Sequence, residues 1–121
     1  MKQYNNITEL FVLDFYDVEL SMIVMDEDEN YLYARLADEE TGAYNLYAMT
    51  PEQLCLVLGQ NELFKRYVGE HWTFTNGQLN YNKASSKSTF DKYYTMFKCD
   101  DGYKSFHRDI KIDSPVGFYI R

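Results

Sequence analysis

The sequence predicts an α+β fold in which an antiparallel β-meander carries a short helix, followed by a second β-rich half with one short helix. Three observations lead to it: alternating side chains over residues 18–48, a capped helix start at Thr50, and a high aromatic content. Aromatic residues make up 17% of the chain, including 12 Tyr and 8 Phe, which favour pleated and half-buried surfaces. With 121 residues the chain is expected to form a single domain, residues 1–121.

The meander is predicted from an alternation of period two, which divides residues 18–48 into three strands. Polar turns at 26–30 and 38–42 separate the strands, and Gly42 can supply a positive φ angle. Within 31–37 the aliphatic side chains fall on one face and the tyrosines on the other. We therefore expect one face of the meander to be core and the other to carry tyrosines.

The segments around the meander are less patterned. Residues 10–13 are short and apolar, as in a buried strand, and 14–17 are predicted to be a bend. Residues 1–9 are polar and are predicted to be a lead-in, whereas 116–121 are predicted to be a terminal edge strand.

The helix after the meander has the best-defined local start in the chain. The Thr50 hydroxyl can accept from an unpaired backbone N–H, and Pro51 suits the first helical position because it has no N–H to leave unpaired. Gln53 completes a capping box, and Gly59 is predicted to end the helix. The hydrophobic staple that accompanies the box would be Met49 with Leu54.

The second half is predicted to contain a hairpin and a short helix. Residues 71–74 and 79–81 are candidate strands on either side of an Asn-Gly turn at 76–77. Ser88 is a candidate helix cap, and Tyr94 would lie on the buried face of that helix.

Several of these motifs resemble a widespread family of small, uncharacterised bacterial and phage proteins. They are Phe15-Tyr16-Asp17, Tyr31-Leu32-Tyr33, the acidic turn, Leu46-Tyr47, and the helix start Thr50-Pro51-Glu52-Gln53-Leu54. The resemblance covers about residues 10–68 and implies a meander that leads into a capped helix. It implies no catalytic residue.

Charge is distributed unevenly along the chain. The formal net charge is −7, but residues 1–60 carry 12 acidic and 2 basic side chains, whereas 61–121 carry 7 acidic and 10 basic ones. An acidic surface of this kind keeps a protein soluble. It also suits contact with a basic partner, such as a nucleic-acid-binding protein.

The two cysteines do not suffice for a disulfide framework. Cys55 lies in an apolar run and is predicted to be a buried small hydrophobic residue, while Cys99 lies beside two aspartates that would raise a thiol pKa. The sequence contains no apolar run typical of a signal peptide or a membrane span. We therefore expect a cytoplasmic protein that does not enter a membrane.

Metal and cofactor sites are not predicted. Asp26, Asp28 and Asn30 begin like a calcium-binding loop, but Tyr31 stands where such a loop needs Gly and Ala37 where it needs Glu. The turn is therefore expected to be a bare acidic hairpin tip. The six glycines are scattered singly, so no phosphate-binding loop is formed.

Two alternative functions remain open. Cys99 and His107 could form the nucleophile and base of a small enzyme, although no strand-to-helix elbow or oxyanion motif accompanies them. Residues 83–111 interleave basic and aromatic side chains, a pattern that can bind single-stranded nucleic acid. The acidic whole-chain charge disfavours that partner.

The sequence favours a non-enzymatic, protein-binding module with no catalytic residue and no cofactor. Phage- or bacteria-encoded inhibitors and immunity-type proteins are the class that this composition suits by analogy. The partner would have a basic surface, and a tyrosine patch with a negative rim would contact it. A second layer of the fold could instead cover the tyrosines. The candidate contact residues are Glu27, Asp28, Tyr31, Tyr33, Glu39, Glu40 and Tyr47.

Overall fold

The described part of the chain forms a curved β-sheet with two helices and a separate small hairpin. A computed structural model describes the backbone of residues 1–16, 18–68, 74–75, 78–79, 87–99 and 114–121, and the side chains of residues 1–13, 18–59, 91–99 and 114–121. The elements in chain order are β1 (Lys2–Gln3), β2 (Thr8–Tyr16), β3 (Val18–Met25), β4 (Tyr31–Asp38), β5 (Ala43–Ala48), α1 (Pro51–Val68), β6 (Phe74–Thr75), β7 (Gln78–Leu79), α2 (Lys87–Met96) and β8 (Gly117–Ile120).

The main sheet has six strands in the order β1-β8-β5-β4-β3-β2. Strands β2 to β5 are neighbours in sequence and pair antiparallel, whereas β1 and β8 pair parallel. The fold class is therefore α+β, as the sequence predicts, and the predicted meander is confirmed with β2 added to it. Strands β6 and β7 form the predicted hairpin as a sheet of their own.

Three predictions about the outer segments are wrong. Residues 14–16 are not a bend but continue β2, where register shifts next to Asp14 absorb the irregular pairing as bulges. The prediction that residues 1–9 form only a lead-in is wrong, because Lys2–Gln3 is a strand and a second strand begins at Thr8. Strand β8 is not at an edge, since it lies between β5 and β1.

Gly117 explains how β1 can lie against β8. A Cβ atom at this position would be 2.4 Å from the carbonyl oxygen of Lys2 and 2.5 Å from a ring carbon of Tyr4. Only a residue without a side chain allows this close approach of two backbones. The Tyr4 amide then donates to the Phe118 carbonyl at 2.8 Å, which extends the contact beyond β1.

Both faces of the sheet are buried over its centre. Alternation along each strand divides the apolar side chains between an inner face and an outer face, and the helices pack on the outer one. The inner cluster contains Met22, Val24, Leu32, Ala34, Tyr44, Leu46 and Tyr119. The outer cluster contains Phe11, Leu13, Ile23, Leu54, Val57, Leu58, Tyr93 and Tyr94.

The sheet curls around its inner face. Strands β8 and β2 are four positions apart in the sheet, a separation of about 19 Å if the sheet were flat. Yet the Tyr119 hydroxyl donates to a Glu9 carboxylate oxygen at 2.7 Å, and Arg121 forms ion pairs with both Glu9 and Glu19. The two sides of the sheet therefore meet, and the inner cluster fills the space between them.

Helix α1 begins as predicted but ends later. The Gln53 amide donates to the Thr50 hydroxyl at 3.2 Å, and the Thr50 amide donates to the Gln53 side-chain oxygen at 2.8 Å, so the capping box is confirmed. The helix continues through Gly59 to Val68. A glycine within a helix costs only about 1 kcal/mol relative to alanine, which packing of the flanking apolar residues can offset.

Helix α2 is confirmed as the second helix of the predicted fold. The prediction that Ser88 caps this helix is wrong, because the helix begins at Lys87 and Ser88 lies inside it. Tyr93 and Tyr94 are both buried in the outer cluster. The Cys99 amide donates to the Tyr94 carbonyl, and Lys98 has a positive φ of 57°, so the chain turns away directly after the helix.

Candidate binding surface

The first acidic tip, residues 26–30, joins β3 to β4 and is organised by one side chain. An Asp26 carboxylate oxygen accepts from the amides of Asp28 and Asn30, both at 2.9 Å, and the other accepts from the Asn30 side chain at 3.1 Å. Glu29 has a positive φ of 64°, which completes the turn. Glu27 and Asp28 are exposed on this tip, as the sequence predicts for a solvated turn.

Asp26 itself is largely buried, yet it stays ionised more readily than a free aspartate. Burial alone raises the pKa of its carboxyl group, but the hydrogen bonds from Asn30 and Asp28 outweigh burial and hold the net pKa below the ordinary value. The carboxylate serves the turn and is not presented as a metal ligand. No group of three or more His, Cys, Asp or Glu side chains in the described ranges could hold a metal ion.

The second acidic tip, residues 38–42, joins β4 to β5. The Asp38 side chain accepts from the Glu40 amide at 3.0 Å, and Gly42 supplies the predicted positive φ, 74°. Glu39 and Glu40 are exposed. Because the eight residues of β4 separate the two tips, the tips lie roughly 25 Å apart and form two separate negative patches.

The predicted tyrosine face lies between these tips and is partly covered. Tyr33 and Tyr47 are directly paired across β4 and β5, with ring centroids 6.2 Å apart, and both are half-buried. Tyr31 packs edge-on against Phe97 with centroids 4.9 Å apart, and its hydroxyl donates to the Met96 sulfur at 3.7 Å. The end of α2 therefore covers Tyr31, and it forms the second layer whose presence the sequence analysis left undecided.

A groove opens where β4 begins, β5 ends and the two helices approach each other. Its volume is about 650 Å³, within the range of clefts that bind ligands. Met96 is 44% exposed beside it, and Lys98 and Asp26 are charged residues in its lining. The lining is otherwise largely apolar and includes Tyr31, Leu32, Met49, Leu54, Met96 and Phe97.

Sequence analysis did not identify this groove. Met49 and Leu54 were expected only as a staple of α1. Met96 ends α2 and Phe97 directly follows it, more than 40 positions away in the chain. No local pattern relates these residues, because the packing of α2 on the sheet creates the cavity. The closest indication in the sequence is Met96 itself, a large apolar residue three positions after Tyr93 in α2.

A disulfide between Cys55 and Cys99 joins α1 to the residues after α2, with Cα atoms 5.5 Å apart. Cys55 is buried, as predicted, but the interpretation of it as an unbonded residue is wrong, because two cysteines 44 positions apart gave no pattern of pairing. In the disulfide Cys99 has no thiolate, so the alternative with Cys99 as a nucleophile would first require reduction. His107 lies outside the described residues.

The nucleic-acid alternative depends on a stretch that is described only in part. Tyr93 and Tyr94 have exposed fractions of 6% and 8%, so neither ring is available to stack on a base. Lys92 and Lys98 are exposed. Most of residues 83–111 lies outside the described residues.

Comparison with known proteins gives no relative. No protein-family model matches the sequence, and neither a curated protein nor a solved structure matches the chain. Neither helix, over the residues described, is long and apolar enough to cross a membrane.

Proposed function

We propose that the protein is a non-enzymatic binding module that recognises a partner protein with a basic surface. One observation carries the proposal: two exposed acidic tips, one at each end of β4, flank the paired rings of Tyr33 and Tyr47 on the meander. Carboxylates at a rim steer and align a basic partner, and tyrosines supply contact area at low entropic cost. The proposed contact residues are Glu27, Asp28, Tyr31, Tyr33, Glu39, Glu40 and Tyr47.

The three tyrosines contribute in different ways. Tyr33 and Tyr47 offer partly exposed rings between the tips. Tyr31 is held under the end of α2, so it would support the surface rather than supply its outermost contact. Phage- or bacteria-encoded inhibitors and immunity-type proteins remain the class that such a surface suits by analogy.

Neutralising the tips tests this function. A variant with Glu27→Gln, Asp28→Asn, Glu39→Gln and Glu40→Gln is expected to capture at least tenfold less partner from a host extract, measured by quantitative mass spectrometry. Capture by the wild type should also fall as sodium chloride rises, because salt screens exposed charges.

The matched control keeps every charge and changes only side-chain length: Glu27→Asp, Asp28→Glu, Glu39→Asp and Glu40→Asp. It should capture the partner nearly as well as the wild type. Equal capture by the neutralised variant and the wild type would contradict an acidic contact surface.

A cytoplasmic location stays a prediction, and the disulfide weighs against it. Disulfides persist in oxidising compartments and are rare where glutathione and thioredoxin keep thiols reduced. The redox state of Cys55 and Cys99, measured in protein alkylated directly in host cells, decides between the cytoplasm and an oxidising compartment. Blocked free thiols would support the cytoplasm, and an intact disulfide would support an oxidising compartment.

A further inference from the structure

We propose that the groove beside the first acidic tip receives an apolar anchor from a basic, amphipathic segment of the partner. This inference rests on the proposed function and adds a second contact site to it. The tips alone would attract basic proteins in general, and salt screens that attraction because the carboxylates are exposed. A groove that accepts an apolar side chain next to a tip would select among them.

The apolar lining fits an anchor of adaptable shape. Two methionines line the groove, Met49 directly after β5 and Met96 at the end of α2. Methionine is unbranched and polarisable, so it can repack around different apolar side chains. Met96 is 44% exposed although it contacts Tyr31, and an exposed large apolar side chain beside a concave site is typical of an interaction surface.

Charge around the groove favours a basic segment and sets its direction. Asp26 lines the groove, and Glu27 and Asp28 are exposed on the same tip. Lys98 lines the groove from the side of α2. Basic side chains of the bound segment would therefore lie toward the tip, with any carboxylate of that segment toward Lys98.

The disulfide fixes the groove before the partner arrives. Cys55 directly follows Leu54, and Cys99 directly follows Lys98, so the bond lies next to both helical walls. Because the disulfide already holds the residues that line the groove, less conformational entropy is lost when the partner binds.

The first test uses a labelled 14-residue amphipathic peptide of Leu and Lys as the probe. Protein labelled with ¹³C at the methionine methyl groups is titrated and followed by NMR. The Met49 and Met96 resonances should shift and saturate together, while Met22, which is fully buried on the inner face, should not move. A Leu and Glu peptide of the same pattern should bind at least tenfold more weakly.

A substitution then separates the groove from the rest of the surface. Met96→Lys places a cation at the groove and should weaken the Leu and Lys peptide at least tenfold. Leu20→Lys adds the same charge at a position that is 39% exposed and does not line the groove, so the affinity of this variant for the Leu and Lys peptide should stay within twofold of the wild type. Unchanged methionine resonances, or equal binding of both peptides, would overturn the inference.

Capture of the native partner distinguishes this inference from the proposed function. If Met96→Lys captures the partner normally while the neutralised-tip variant does not, the groove inference fails and the acidic surface stands. If both variants capture normally, the proposed function fails as well. Loss of the partner in both variants, with capture by Leu20→Lys unaffected, supports both proposals.

Discussion

At the level of single residues, Asp26 does more than any other described carboxylate to shape the candidate surface. Its two oxygens accept three hydrogen bonds from Asp28 and Asn30, and these bonds fix the tip that exposes Glu27. A hydrogen bond to a charged acceptor stabilises more than one between neutral groups. The acidic character of the tip and its geometry therefore depend on the same buried carboxylate.

Replacing Asp26 should destabilise the protein in a pH-dependent way. Asp26→Ala is expected to lower the free energy of unfolding by about 1–3 kcal/mol at pH 7, because backbone N–H groups lose their acceptor. The folded pKa lies below the unfolded one, so this stabilisation is complete above the unfolded pKa, near 3.8, and is lost as pH falls through the folded pKa. Urea unfolding at pH 7 and pH 2.5 measures the difference.

The exposed Asp28 in the same turn provides the control for this experiment. Asp28→Ala should change stability by no more than about 0.5 kcal/mol at either pH. A pH-independent gap between Asp26→Ala and the wild type would contradict the role assigned to the charged form.

At the level of elements, the disulfide and side-chain packing together fix the position of helix α2. Helix α2 has ten residues, too few to be stable alone, and it packs through Tyr93 and Tyr94. The bond from Cys99 to Cys55 ties the chain after α2 to the first turns of α1. Packing and the covalent link therefore act at the same place.

Reduction should weaken the fold substantially. The disulfide closes a loop with a sequence separation of 44, for which chain-entropy arguments give about 4 kcal/mol of stabilisation. Urea unfolding with and without a phosphine reductant should show a loss of this order. The double variant Cys55→Ala and Cys99→Ala should be less stable than the oxidised wild type and insensitive to reductant, and equal stability of all samples would contradict the argument.

The elements that could be predicted are those whose pattern is local. The alternation in β4 placed Leu32 and Ala34 in the core and Tyr33 on the other face, and the spacing of Thr50 and Gln53 fixed the start of α1.

The remaining features depend on contacts between distant parts of the chain. A two-residue strand such as β1 has no periodicity, and it exists because Gly117 admits its backbone. The pairing of Cys55 with Cys99 and the groove both depend on where α2 packs. Of the candidate site, the exposure of the tips could be predicted, whereas the partial cover over Tyr31 could not.

At the level of the whole molecule, contacts between the two sides of the sheet hold its curvature. The ring of Tyr119 stacks on Tyr44 on the inner face, and its hydroxyl reaches Glu9 on β2. Arg121 adds ion pairs to Glu9 and Glu19, and burial raises the pKa of Tyr119, so its phenol remains a hydrogen-bond donor.

Removing these contacts should loosen the closure of the sheet without unfolding it. Tyr119→Phe with Arg121→Ala is expected to cost about 1–2 kcal/mol, since one hydrogen bond and partly exposed ion pairs are lost. Hydrogen exchange should accelerate in β2 and β8 more than in β4. Arg35→Ala, an exposed change on β4, is the control, and uniform acceleration across the sheet would contradict a local role.

The placement of the outermost strands also bears on behaviour at high concentration. An open strand edge invites addition of a strand from another molecule, which is a route to aggregation. Here one edge, β1, offers only two residues, and the other, β2, is interrupted by bulges. Neither edge is a long, regular template, so the architecture itself guards the chain against intermolecular β-pairing.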